Sequence, residues 1–347
     1  LCAILLLPYG TARAETTPSP NVGLAIGSIY YNGAPLAPNL VSAISQSGVG
    51  WVRISLYWGF GVERTRGVFN WTGLDESIAA LKAAHINVLI TLLGPVPCWA
   101  RPAPQPSDCK KAAMVIPDRD AWRDFVTAAV KRYGKDVTYW ELWNEPDQVS
   151  SIVAPDQSTE ARLQQYRDEI LNPGADAVHA ADPNAKVVAT ALSINYPNTA
   201  PEAKMASTLR MITGVAPDKI DVVSVHVYAP FDLVSYGKAA REAIGPHPQL
   251  WLTETGIREP VAADGTMSDA ASQSQESFIN NEFARALKSG VYDKMFFFAL
   301  TDDGETASGR HGDGFGLIDN QNYTTYPWTP RPAYVALQKL LGAKPSQ

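Results

Sequence analysis

The chain is poor in cysteine, with three in 347 residues, at Cys2, Cys98 and Cys109. So small a set excludes a fold built on disulfides. Cys98 and Cys109 share one proline-rich connection with no histidine nearby, and two cysteines alone do not make a zinc site, so no metal is expected. Lysine and arginine form no block of the kind that neutralises phosphates, and the formal net charge is −6, which argues against nucleic acid as a partner. No apolar run approaches the roughly 20 residues that a membrane-spanning helix needs. A glycine-rich dinucleotide fingerprint after the first strand is also missing, as is any linker or shift of composition, so neither a nucleotide cofactor nor a second domain is expected.

What is present begins with "LCAILLLPYGTARAETT", an apolar run followed by the small-residue site Ala12-Arg13-Ala14. It reads as the remnant of a secretory signal peptide, residues 1–14, cut after Ala14. The expectation is a soluble, secreted or periplasmic protein in which Cys98 and Cys109 staple a loop.

Beyond that leader the hydrophobic residues, 46% of the chain, fall into apolar runs of strand length alternating with helical periodicity. Strands are expected at 21–27, 50–58, 86–94, 137–143, 185–193, 220–228, 249–254 and 294–300. Most are apolar on both faces, as strands of a parallel sheet covered by helices on both sides are. Thr72 is expected to cap the helix "TGLDESIAALKAAH", with Asp75 three residues on, and Gly134 to end "RDAWRDFVTAAVKRYG". Eight strand–helix units point to an α/β fold, a single-domain (β/α)8 TIM barrel over residues 21–343, with a doubly wound sheet as the competitor.

In such barrels the active site is built where the strands end. There stand Asn144 and Glu145 of "WELWNEPD", His226 and Tyr228, Glu254 of "LWLTETG", and Asp302 and Asp303, with Arg53 inside the second strand. Strands four and seven lie three places apart around the ring, so Glu145 and Glu254 should face each other across the mouth. Two such carboxyl groups suit hydrolysis of a glycosidic bond, with retention if they stand roughly 5 Å apart and inversion if a wider gap admits water. Glu141, below Glu145, would need a buried partner and is read as structural. Asp302 and Asp303 are read with equal weight as sugar contacts or as solvated loop residues. Tyr30, Tyr31, Tyr57, Trp58, Trp99, Phe231 and Phe315 collect in the same connections, where aromatic faces suit the apolar faces of sugar rings.

"WELWNEPD" and "LWLTETG" resemble the two signatures of the clan A glycoside hydrolases. The stretch from "ERTRGVFNW" to "GPVPCWA" and the ending "GFGLID…RPAYVAL" are similar to further segments of that clan, with family 39 the nearest in appearance. The resemblance implies a retaining enzyme in which Glu145 is the acid/base and Glu254 the nucleophile. It also implies that Asn144 meets the sugar 2-hydroxyl and that Tyr228 and Arg53 hold Glu254. A positive Arg53 and a donating Tyr228 favour the ionised nucleophile, and Glu145, facing that charge, should stay protonated.

His226 is divided evenly between a sugar contact and a packed structural residue. Many clan relatives carry Trp at the end of the eighth strand; here "MFFFALTDD" stands there, so Phe298 is the expected substitute, or Trp58 or Trp99 reaching in. The substrate class implied is an oligosaccharide or polysaccharide with β-linkages, acted on by a monomer. Alternatives are a β-xylosidase-type exo-enzyme, a transglycosylase, and a carbohydrate-binding barrel without turnover.

Overall fold

The computed structural model describes residues 18–26, 35–102, 113–148, 150–152, 157–193, 201–214, 217–262, 266–302, 314–319 and 328–343. The proposed leader and Tyr30, Tyr31, Cys109 and Asp303 lie outside the described residues.

Eight parallel strands close into a barrel in chain order: β1 (Ser19–Ile26), β2 (Val49–Tyr57), β3 (Asn87–Leu93), β4 (Tyr139–Leu142), β5 (Lys186–Ser193), β6 (Val222–His226), β7 (Gln249–Thr255) and β8 (Lys294–Phe298), with β8 pairing back onto β1. The doubly wound alternative is thereby excluded. Between the strands run α1 (Pro38–Ser47), α2 (Thr72–Ala83), α3 (Arg119–Tyr133), α4 (Thr159–Gln165), α5 (Asn172–Ala181), α6 (Pro201–Thr213), α7 (Leu233–Ile244), α8 (Asp269–Ser277) and α9 (Ala284–Ser289), and α10 (Pro332–Leu340) follows β8.

The strands read as apolar on both faces because they serve two cores. Val52, Ile54 and Leu56 of β2 join the large outer core with helix residues such as Leu81, Phe125 and Leu337. Their neighbour Trp51 points inward and meets Leu89, Val188, Val222, Trp251 and Phe296 in a separate cluster inside the barrel. Period-two alternation assigns the two sets.

Two helix-end expectations are corrected. Thr72 is the first helical residue and not the cap; Trp71 occupies the cap position and no side chain caps there. Asp75 is drawn away instead, because Arg132 and Tyr133 of α3 both donate to its carboxylate. Gly134 does end α3, but with φ −58, a right-handed conformation. Its lack of a side chain matters for space, since a Cβ there would come within 2.9 Å of the Val130 carbonyl.

Candidate active site

At the upper strand ends Arg53 is the centre of a charged network. It is 3% exposed. Its Nε donates to Glu141 Oε2 at 2.6 Å, Nη1 to Glu254 Oε1 at 2.5 Å, and Nη2 to Asn144 Oδ1 at 2.7 Å. One fork on β2 thus holds side chains from β4 and β7 in register, which the rigid guanidinium does better than a flexible ammonium. Burial opposes its positive charge, but the carboxylates of Glu141 and Glu254 more than compensate and raise its pKa.

Glu141, wholly buried, has partners for both oxygens: Thr91 Oγ1 donates to Oε2 at 2.6 Å and Ser224 Oγ to Oε1 at 2.7 Å. Its role is to anchor Arg53 from below, in keeping with the structural reading.

Glu254 receives a second donor, the Tyr228 hydroxyl, at 2.5 Å from Oε2. Burial alone would push this carboxyl up, yet His226, Arg53 and Tyr228 together outweigh burial and hold it below the ordinary carboxylate range. Burial, reinforced by the Glu254 charge, puts the Tyr228 hydroxyl well above its usual value, so it stays a donor.

His226 is also wholly buried. Its Nδ1 lies 2.9 Å from Glu145 Oε1 and 3.5 Å from Glu254 Oε2. Burial pulls the imidazole down, but the Glu254 charge and the bond to Glu145 prevail and raise it above its ordinary value. Nε2 has no partner among the described residues. His226 is therefore a bridge between the two glutamates rather than an exposed sugar contact. One oxygen from each glutamate and one ring nitrogen of His226 all lie within 4.8 Å of one another.

Two backbone irregularities bring the acids to the mouth. After β4, Trp143 adopts φ +80 and Glu145 φ +45. Simple alternation after Glu141 would turn Trp143 inward; instead its indole is buried outside the barrel, edge-on to Trp122 with Nε1 donating to the Ser151 carbonyl. Asn144 and Glu145 then reach the site on consecutive positions, a backbone cost of order 1–3 kcal/mol per strained residue. The Glu145 N–H is held by the carbonyl of Ala191, itself at φ +40 in an irregular stretch of β5.

On β7 the pairing register shifts between Leu252 and Thr255 against β8, and Glu254 pairs with His226. Trp251 and Glu254, three apart, both face inward, which regular alternation forbids. Bulges of this kind re-aim side chains next to active sites.

The remaining candidates divide. Phe298 does stand at the mouth, edge-on to Tyr228 with ring centroids 6.1 Å apart and to Phe315 at 5.3 Å. Trp58 does not: it is 0% exposed, stacked on Phe125 at 4.7 Å, and its Nε1 donates to the buried Glu63. The outer core absorbs it because the chain leaves β2 in a wide helical turn, Trp58–Val62, that folds the indole outward. Trp99 is half-buried, its Nε1 donating to the Glu63 carbonyl and its ring edge-on to Trp58. It supports the rim beside Glu63 and Trp58.

Both readings of Asp302 are corrected as well. It is 2% exposed and accepts from the Gly316 N–H and from Arg331, which also holds Asp319 and the Gly316 carbonyl. It ties residues 314–319 to the start of α10. Phe231 packs on Tyr236 at 5.3 Å. Thr91, Ser224 and Glu63 escaped notice in the sequence, since single polar residues inside apolar stretches carry no signal until their partners are known.

No known family profile and no curated protein matches the chain. Among solved structures, a family 39 glycoside hydrolase from Bacteroides cellulosilyticus superposes with a TM-score of 0.65 at 19% identity over 94% of this chain. This chain spans only 64% of that enzyme's length. A family 39 enzyme from Xanthomonas axonopodis pv. citri gives 0.63 at 21% identity, covering 96% of this chain and 72% of its own. A β-glucosidase from Thermotoga maritima gives 0.65 at 17% identity, covering 95% of this chain and all of its own. The chain has the barrel fold of these glycoside hydrolases.

Proposed function

We propose that the protein is a retaining glycoside hydrolase that cleaves β-glycosidic bonds of an oligosaccharide or polysaccharide, with Glu145 as acid/base and Glu254 as nucleophile. The observation that carries this is the approach of the two carboxyl groups, with oxygens within 4.8 Å. An approach that close supports the roughly 5–5.5 Å arrangement of retaining enzymes over the gap of about 6.5–9.5 Å that admits the water of an inverting one. The β-linkage rests on the sequence resemblance, and the solved neighbours named for β-glucosidase activity agree with it.

In the first step a Glu254 oxygen attacks the anomeric carbon and the glycosidic C–O bond breaks. The Glu145 proton passes to the leaving oxygen. In the second step Glu145, now a carboxylate, takes a proton from water, whose oxygen attacks the same carbon and expels Glu254. Arg53 and Tyr228 keep Glu254 ionised between turnovers. The Nδ1 atom of His226 fixes the Glu145 carboxyl, and the Asn144 amide, its oxygen held by Arg53, presents its NH2 group as a donor to the sugar.

The same reading includes export after loss of residues 1–14, a Cys98–Cys109 staple and a monomeric enzyme. Transglycosylation would use the same residues, with a sugar hydroxyl in place of water. A binding barrel without turnover is disfavoured because both acids and their supports are in place.

The test is to incubate the protein with a panel of aryl β-glycosides and polysaccharides, bacterial exopolysaccharides included, and follow the anomeric signal of the first product by NMR. The expected product keeps the β configuration, and a 2-fluoro-glycoside should label Glu254. An α product, or a label elsewhere, overturns the assignment.

A further inference from the structure

Phe60 and Val68, at 36% and 64% exposure, are the large hydrophobic side chains left in solvent among the described residues. On the connection from β2 to α2 lies a cavity of about 350 Å³ lined by Gly61, Arg64, Val68, Phe69 and Asn70 among others. Val68 is part of its lining, and Phe60 precedes the lining residue Gly61. Its single charged lining residue is Arg64, and no acid lines it.

The walls are held in place from beneath. The buried Glu63 accepts from Trp58 Nε1 at 2.8 Å and from the Gly67 N–H at 2.7 Å. Thr65 and Val68 pair across the turn, with Gly67 at φ +74, and the Asn70 N–H donates to the Val62 carbonyl. Arg64 Nη2 donates to the Phe60 carbonyl at 3.0 Å, which lays the guanidinium along the cavity's edge. A loop this firmly pinned is preorganised, and preorganisation lowers the entropy lost on binding.

The cavity lies on the connection that follows β2, at the same strand-end side of the barrel as the catalytic mouth. β2 pairs with β3 in unbroken register as far as Tyr57, so Tyr57 shares the strand face of Arg53, four residues or about 13 Å further along. The Tyr57 ring touches Phe60 at 5.8 Å between centroids. Tyr57 and Phe60 thus stand between the strand that carries Arg53 and the connection that carries the cavity.

We propose that this cavity is a remote subsite that takes a pyranose unit of the substrate chain several sugars from the cleaved bond. Phe60 meets the C–H face of the ring, and Arg64 and Asn70 bind its oxygens. The inference rests on the glycosidase reading above, and it makes the preferred substrate a chain rather than a disaccharide.

The experiment compares kcat/KM of wild type, Phe60→Ala and Arg64→Ala on two kinds of substrate. One is the short aryl β-glycoside that wild type cleaves best. The other is a ladder of oligosaccharides, two to six sugars long, cut from the polysaccharide that it depolymerises. The expected result is a rise of wild-type kcat/KM with chain length. Each variant should lose about tenfold, equivalent to about 1.4 kcal/mol, on the longest chains and nothing on the aryl glycoside. A wild type indifferent to length, or variants that lose equally on both substrates or on neither, overturns the subsite while leaving the glycosidase reading standing. Absence of any wild-type turnover across the panel overturns that reading, and the subsite with it.

Discussion

The two ends of the barrel are built by the same strands, a few residues apart, and they are chemical opposites. At the lower end Trp51, Tyr139, Trp251 and Phe296 fill the interior with ring centroids 4.7 to 6.0 Å apart. The Lys294 ammonium covers this plug, 4.6 Å from the Trp51 ring, and donates to the Pro20 carbonyl. Burial lowers the pKa of Lys294. Two residues above Trp51 comes Arg53, two above Tyr139 comes Glu141, and three above Trp251 comes Glu254. The lower end excludes water by volume alone. The upper end is also buried, yet it holds its charges because each has a counter-charge or a donor within hydrogen-bond reach. Stability therefore resides mainly below and chemistry above, and the two can be separated by mutation.

The sharpest separation is Glu254→Gln against Trp251→Ala. Glu254→Gln keeps the volume and should cut kcat/KM by about a thousandfold or more, roughly 4 kcal/mol of transition-state stabilisation. Trp251→Ala should cost about 3–5 kcal/mol of unfolding free energy, measured by denaturant titration, while the folded fraction keeps its turnover. If Trp251→Ala abolished turnover in fully folded protein, the division between the two ends would be lost.

Next in size is Glu141→Gln, which breaks a buried ion pair by neutralising one partner. About 3 kcal/mol of stability should go, since Arg53 is left buried with one counter-charge fewer. This residue belongs to both ends at once: activity should fall together with stability, because Arg53 positions Glu254 and Asn144. A variant as stable as wild type would show that Arg53 is held from elsewhere.

The smallest effect sharpens the upper end alone. Tyr228→Phe keeps the ring against Phe298 and Phe315 but removes a donor to Glu254. The folded-state pKa of Glu254 lies below its unfolded value, near 4.3 for an ordinary Glu, so the ionised form stabilises the fold above that pH. This contribution fades as pH falls through the folded value. Losing the hydroxyl raises the folded value. The acid limb of the kcat/KM profile should move to higher pH, and about 1–2 kcal/mol of stability at neutral pH should go. An unmoved acid limb would mean that Arg53 and His226 alone set the charge of Glu254.

Much of this was legible without coordinates. The eight apolar runs led to the closed barrel, with no strand end displaced by more than two residues, and β4 is shorter than its run because Trp143 leaves the sheet. Asn144, Glu145, His226, Tyr228 and Glu254 stand out in the sequence at strand ends and Arg53 inside a strand, and the six side chains do converge. Trp58 was misjudged because an aromatic residue in a connection looks the same whether it lines a groove or fills the outer core. Asp302 was misjudged because its partner Arg331 lies 29 residues away across segments with no periodicity.

By itself, then, the sequence determined the number and order of the strands and the chemical kind of residue placed at their ends. It did so because apolar periodicity and local propensity act over a few residues at a time. Only the tertiary structure decided which of those residues meet. A left-handed turn at Trp143 and a shifted register on β7 override the alternation that a strand would otherwise impose, and neighbouring strands hold both irregularities in place. His226 between two glutamates, and Arg53 beneath them, are consequences of that packing, in which Arg53 and Glu254, 201 positions apart, share one hydrogen bond.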